Sequence, residues 1–87
     1  MSHIPIILDA IETVESRSAT PPTTAQANLV TALEAADAYT DGSPDPGVQQ
    51  GIVNLATWIV WYFEHRSPVS ENQTQAFADQ MNELVPG

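Results

Sequence analysis

The chain has 87 residues, which is enough for one domain with a single small core. Eleven acidic residues face only two basic ones, Arg17 and Arg66, so the formal net charge is -9 at pH 7. Two arginines cannot form a basic patch, and direct binding to nucleic acid or to anionic lipid headgroups is therefore disfavoured. The chain has no cysteine, which excludes disulfides, thiolate nucleophiles and sulfur-ligated metals.

The origin of the acidity stays open between three explanations. It serves solubility, it steers the protein to a basic partner, or it reflects a salt-rich cytoplasm. A charged fraction of 15% is low for the third explanation. Residues 1–5 lack the basic start of a signal peptide, and the longest apolar stretch, Ile52 to Phe63, is shorter than the about 20 residues that span a bilayer. We expect a soluble protein, cytoplasmic or part of a virus particle.

Hydrophobic spacing predicts two helices in the first half of the chain. The first covers residues 4–18, with Pro5 in its first turn. The second covers residues 24–39 and begins at a cap formed by Thr23 or Thr24. The apolar stripe of the first helix consists of Ile4, Ile7, Leu8, Ile11 and Val14. The stripe of the second consists of Leu29, Ala32, Leu33 and Ala36, with Val30 beside it.

The third predicted helix covers residues 46–65 and carries more apolar surface than one stripe requires. Ser43 or Asp45 caps it and Pro46 takes its first position. One face of the helical wheel holds Ile52, Ala56, Ile59 and Phe63, flanked by Leu55 and Val60. The opposite face holds Asn54, Trp58, Trp61 and His65. A strand over residues 57–63 is the alternative, but no second strand is available to pair with it.

The fourth predicted helix covers residues 70–85. Ser70 and Gln73 have the spacing of a capping box, and Phe77, Met81 and Leu84 form the apolar stripe. Four helices joined by short loops predict a single domain over residues 1–87, an all-α antiparallel bundle.

The patterns that carry catalytic or metal chemistry are weak. His3 and His65 are the only histidines, and neither lies in a zinc-binding frame. The oxygen-rich loop 41–45 begins like a calcium loop, but Ile52 stands where that loop needs a glutamate. No nucleophile elbow or glycine-rich phosphate loop is present. We therefore predict no catalytic, cofactor-binding or metal-binding residue, and a protein that is not an enzyme.

The candidate partner-binding residues lie on the third helix. They are Trp58, Trp61, Tyr62, Asn54 and His65. Once the core stripe of this helix is assigned, the second indole faces outward or into a neighbour, and tryptophan and tyrosine dominate protein-binding hot spots. The alternative is that the third helix is central and that the other helices partly cover Trp61.

Two functions follow as hypotheses. The first is a structural or adaptor subunit that packs its third helix into a homo-oligomer or a larger assembly, such as a virion. The second is an acidic inhibitor, of the immunity or anti-defence type, of a basic nucleic-acid-handling protein. Residues 51–54 with Trp58 resemble one helix of the colicin-immunity family, over fewer than ten residues and without the tyrosine pair of that family. No assignment rests on that resemblance.

Overall fold

The computed structural model describes residues 4–18, 21–66 and 68–86. It contains four α-helices: α1 (Pro5–Ser16), α2 (Thr24–Thr40), α3 (Pro46–His65) and α4 (Glu71–Leu84). Within those described ranges no residue forms a β-strand. The prediction of a small all-α bundle is confirmed, and every helix end lies within two residues of its predicted position.

Helices α2, α3 and α4 begin at side-chain caps that the sequence suggests, whereas α1 begins after Ile4 without one. Thr23 and Gln26 form a reciprocal capping box, in which the Thr23 hydroxyl accepts from the Gln26 backbone N–H at 3.2 Å and the Gln26 amide oxygen accepts from the Thr23 N–H at 3.0 Å. Ser70 Oγ accepts from the Gln73 N–H at 3.3 Å at the start of α4. These bonds satisfy donors that a helix start otherwise leaves unpaired.

The start of α3 offers a test of this capping. One carboxylate oxygen of Asp45 accepts from the N–H groups of Gly47 at 2.9 Å and Val48 at 3.2 Å. We expect Asp45→Ala to lower the free energy of unfolding by about 1 kcal/mol, because both donors lose their acceptor. Asp45→Asn keeps an accepting oxygen and is the control. Equal losses in urea unfolding for the two variants would contradict a capping role.

Two tyrosine hydroxyls hold the loops that precede α3 and α4. Tyr39 Oη, near the end of α2, accepts from the N–H of Asp45 at 2.9 Å. Tyr62 Oη, near the end of α3, accepts from the N–H of Ser70 at 3.0 Å. Each tyrosine thus binds the cap residue of the following helix, which fixes where that helix starts relative to the one before it.

The bundle runs up, down, up and down. Residues from the end of α1, the start of α2, the end of α3 and the start of α4 line one hollow; they include Arg17, Thr23, Arg66 and Glu71. Consecutive helices are therefore antiparallel. The most extensive packing joins α2 with α4 and α1 with α3, whereas α3 and α4 touch over a thin seam and α2 and α3 barely meet. The third helix is therefore not the central one.

The core contains most residues of the predicted stripes. It comprises Ile7, Ala10, Val14, Leu29, Ala32, Leu33, Ala36, Ile52, Ala56, Ile59, Phe63, Phe77, Ala78 and Met81. The stripe residues Ile4, Ile11 and Leu84 are half-buried against this core. Leu8 is 42% exposed, while Ala10 takes a core position. At about 100° per residue, Leu8 lies more than 100° around the helix from the line through Ile7, Ala10 and Val14.

Candidate protein-binding surface on the third helix

Helix α3 divides into a core face and an exposed face. Ile52, Ala56, Ile59 and Phe63 are fully buried. The opposite face consists of Asn54, Trp58, Trp61 and His65, all exposed, and is called the Trp face below. The side chain of Trp58 is 62% exposed and that of Trp61 is 42% exposed. A helix that turns two indoles to solvent carries apolar surface that its own bundle does not cover.

The aromatic rings of the Trp face contact one another. The rings of Trp58 and Trp61 meet edge to face, with centroids 5.9 Å apart and planes at 79°. The His65 ring stacks on Trp61, with centroids 4.9 Å apart and planes at 16°. The Arg66 guanidinium carbon lies 5.9 Å from the Trp61 ring centroid, within the range of a cation–π contact. Trp61 thus contacts two neighbours on its own helix and the residue that follows the helix.

The imidazole of His65 is fixed by a backbone hydrogen bond. Its Nδ1 lies 2.9 Å from the carbonyl oxygen of Trp61. Because a carbonyl oxygen only accepts, the proton of this bond is on Nδ1. In the neutral ring Nε2 is then an acceptor, available to a partner. An anchored ring and an anchored indole lose less conformational entropy on binding than mobile side chains do.

Asn54 lies at the other end of the Trp face, one turn before Trp58. Its Oδ1 accepts a hydrogen bond from Nε2 of Gln50 at 3.0 Å. That bond does not use the two Nδ2 protons of Asn54, which are hydrogen-bond donors. The Trp face therefore presents a donor at its amino-terminal end and an acceptor at its carboxyl-terminal end, with two indoles between them.

Tyr62 has a different position from the other four candidates. It is half-buried, and its hydroxyl accepts the Ser70 N–H described above. Its ring meets Phe77 of α4 edge to face, with centroids 5.4 Å apart, and Phe63 at 5.8 Å. The structure thus places Tyr62 between α3 and α4, beside the Trp face and not on it.

A groove follows the thin seam between α3 and α4. It has a volume of about 500 Å³ and is lined by Trp58, Trp61, Tyr62, Arg66, Pro68, Gln73 and Phe77. Arg66, Gln73 and Phe77 are not among the residues that the sequence predicts for this surface. Phe77 was recognised as part of the α4 stripe, but its position against Tyr62 depends on the register of two helices that no sequence pattern specifies.

Most of the Trp face lies on a stretch of chain that carries no charge. Helix α3 has no acidic or basic residue between Asp45 and Glu64. The exposed acids of α1 are Asp9, Glu12 and Glu15, and others lie on α2 and α4. Depletion of charge with enrichment of aromatic residues is typical of the centre of protein interfaces.

The described part of the chain offers neither a metal site nor a membrane-spanning helix. Within it, no three histidine, aspartate or glutamate residues come close enough together to hold a metal ion. His3 lies outside the described residues. Among the helices so described, none combines the length and the apolar character needed to traverse a bilayer.

The chain was compared with protein-family models, with curated proteins and with solved structures. None of the three comparisons gives a match. A functional interpretation therefore depends on the physical properties of the surface itself.

Proposed function

We propose that this protein is a non-enzymatic, protein-binding subunit of a larger assembly and that it docks through the Trp face. The observation that carries the proposal is the exposure of both indoles, 62% and 42%, on a helix without charge between Asp45 and Glu64. Transfer of apolar surface out of water favours association by roughly 25 cal/mol for each Å². Trp58 and Trp61 are accordingly the anchors, Asn54 and His65 supply polar contacts, and Tyr62 with the groove extends the surface.

The test of this proposal compares assembly size in extracts of the cells that produce the protein. We expect the wild-type chain to elute with an apparent mass well above its 9.4 kDa. The double variant Trp58→Ala, Trp61→Ala should elute as a free small protein, because its apolar anchors are gone. Leu8→Ala is the matched control, since it removes an exposed apolar side chain from α1. An assembly that retains the double variant would contradict the proposal.

A second candidate function is an acidic inhibitor of a basic nucleic-acid-handling protein. It is favoured by the exposure of most of the acidic side chains over α1, α2 and α4. Such a complex would associate fast in dilute salt and would weaken as salt screens the attraction. The acids and not the indoles would then dominate affinity, so Trp58→Ala would change binding less than neutralisation of Glu12 and Glu15.

A further inference from the structure

We infer that the partner of the Trp face is a second copy of this chain, packed with its α3 antiparallel to the first about a twofold axis between Trp58 and Trp61. This inference rests on the proposed function, because it names the occupant of the same surface. A twofold interface is self-complementary, since each residue that contacts a partner residue is contacted by it in return.

The spacing of the Trp face is the same when read in either direction. Trp58 follows Asn54 by four positions, Trp61 follows Trp58 by three, and His65 follows Trp61 by four. All four side chains fall within about 60° around the helix. An antiparallel copy centred on the indoles therefore places Trp58 opposite the partner's Trp61 and Asn54 opposite the partner's His65.

The chemistry of the opposed pairs is complementary. Trp58 and Trp61 already contact edge to face within one chain, and an opposed pair extends that cluster across the axis. Asn54 Oδ1 already accepts a hydrogen bond from Gln50, and the Nδ2 group of Asn54 can donate to the partner. The His65 Nε2 is an acceptor, because its Nδ1 proton is engaged by Trp61. Each indole pair is thus flanked by a donor facing an acceptor.

The charge distribution favours this face for self-association. Two copies with a formal charge of -9 each repel one another through most of their surfaces. Contact through α1 would bring Asp9, Glu12 and Glu15 of the two copies together. The α3 surface between Asp45 and Glu64 brings no acid against an acid within that span, so the repulsion acts only over longer distances, where salt screens it.

The exposed area sets the expected strength of the dimer. The exposed parts of Trp58 and Trp61, 62% and 42%, together amount to one whole tryptophan, or about 250 Å². The polar neighbours enlarge the surface, but it remains below the about 800 Å² per partner of a standard interface. We therefore expect a weak dimer, half-formed at micromolar to hundreds of micromolar chain concentration.

Cysteine cross-linking tests the orientation, because the natural sequence contains no cysteine. The variants are Asn54→Cys and His65→Cys, treated separately and as an equimolar mixture with a short thiol-specific cross-linker. In the antiparallel dimer position 54 of one copy faces position 65 of the other, whereas positions 54 and 54 lie about 16 Å apart along the helices. Ala35→Cys, at an exposed position of α2, is the control for random collision.

We expect the mixture to give a cross-linked product of mixed mass at several times the yield of either variant alone or of the Ala35→Cys control. Sedimentation of the cysteine-free protein should show a dimer at high concentration. A cross-link of position 54 to 54 with equal yield, or a monomer throughout, would overturn the inference. The purified protein could be a monomer while the chain in extracts elutes in a large assembly that the Trp58→Ala, Trp61→Ala variant leaves. That result would overturn this inference and not the proposed function. If the chain also elutes as a monomer from extracts in which its concentration exceeds hundreds of micromolar, where the weak dimer forms, the proposed function is overturned as well.

Discussion

Replacement of Phe63 by alanine should leave a large fraction of the molecules unfolded at room temperature. Phe63 is the largest of the fully buried side chains and lies at the carboxyl-terminal end of the α3 core face. Removal of a buried phenylalanine ring costs about 3–5 kcal/mol, since the cavity left behind closes only in part. A small domain has a total stability of about 5–15 kcal/mol, and a chain of this size lies at the lower end. Urea unfolding followed by circular dichroism measures the loss.

The control for Phe63→Ala is Trp58→Ala in the same helix. The Trp58 side chain is 62% exposed, so its removal should change the free energy of unfolding by less than about 1 kcal/mol. The comparison is made at low chain concentration, where association contributes nothing to stability. If Trp58→Ala were as destabilising as Phe63→Ala, the indole would belong to the core and the Trp face would not be free for a partner.

Self-association of the purified chain should strengthen as sodium chloride is added. Each copy carries a formal charge of -9, and the Debye length falls from about 30 Å at 10 mM salt to about 3 Å at 1 M. We expect the dimer dissociation constant to decrease at least tenfold over that range, because screening removes repulsion between the acidic surfaces. Sedimentation equilibrium measures it. The inhibitor hypothesis predicts the opposite sign for binding to a basic partner, which salt weakens.

A charge variant separates screening from a general effect of salt on apolar contacts. Glu12→Gln with Glu15→Gln removes two exposed acids of α1 and leaves the Trp face unchanged. This variant should dimerise more tightly than the wild type in dilute salt and should show a smaller change with salt. An identical salt dependence in both proteins would mean that screening is not the cause.

Local signals in the sequence were sufficient for the helices. Proline at the first position of α3, the caps at Thr23, Asp45 and Ser70, and the three- and four-residue spacing of apolar residues all act within one or two turns of chain. The same three- and four-residue spacing predicts that Asn54, Trp58, Trp61 and His65 lie opposite the core face. It failed at Leu8, because an apolar residue at the edge of a stripe is assigned by counting, whereas its burial depends on where the neighbouring helix lies.

Sequence patterns do not predict how the four helices pack against one another. The thin contact between α3 and α4, and the groove it leaves, depend on how four cylinders pack. Tyr62 is a predicted partner-binding residue, and nothing in the sequence indicates that its hydroxyl accepts from the backbone N–H of Ser70. No periodicity predicts that bond, since it joins the end of one helix to the cap of the next through a loop of specific shape.

The absence of acids from α3 between Asp45 and Glu64 has a consequence for the size that self-association can reach. If two copies join through α3 as we propose, each covers indoles of the other, and the exposed acids of α1, α2 and α4 remain on the outside of the pair. A third copy would then approach a pair whose exposed surface carries most of the acids, so electrostatic repulsion would oppose its addition. The same distribution of side chains that permits pairing therefore protects the pair against open-ended aggregation.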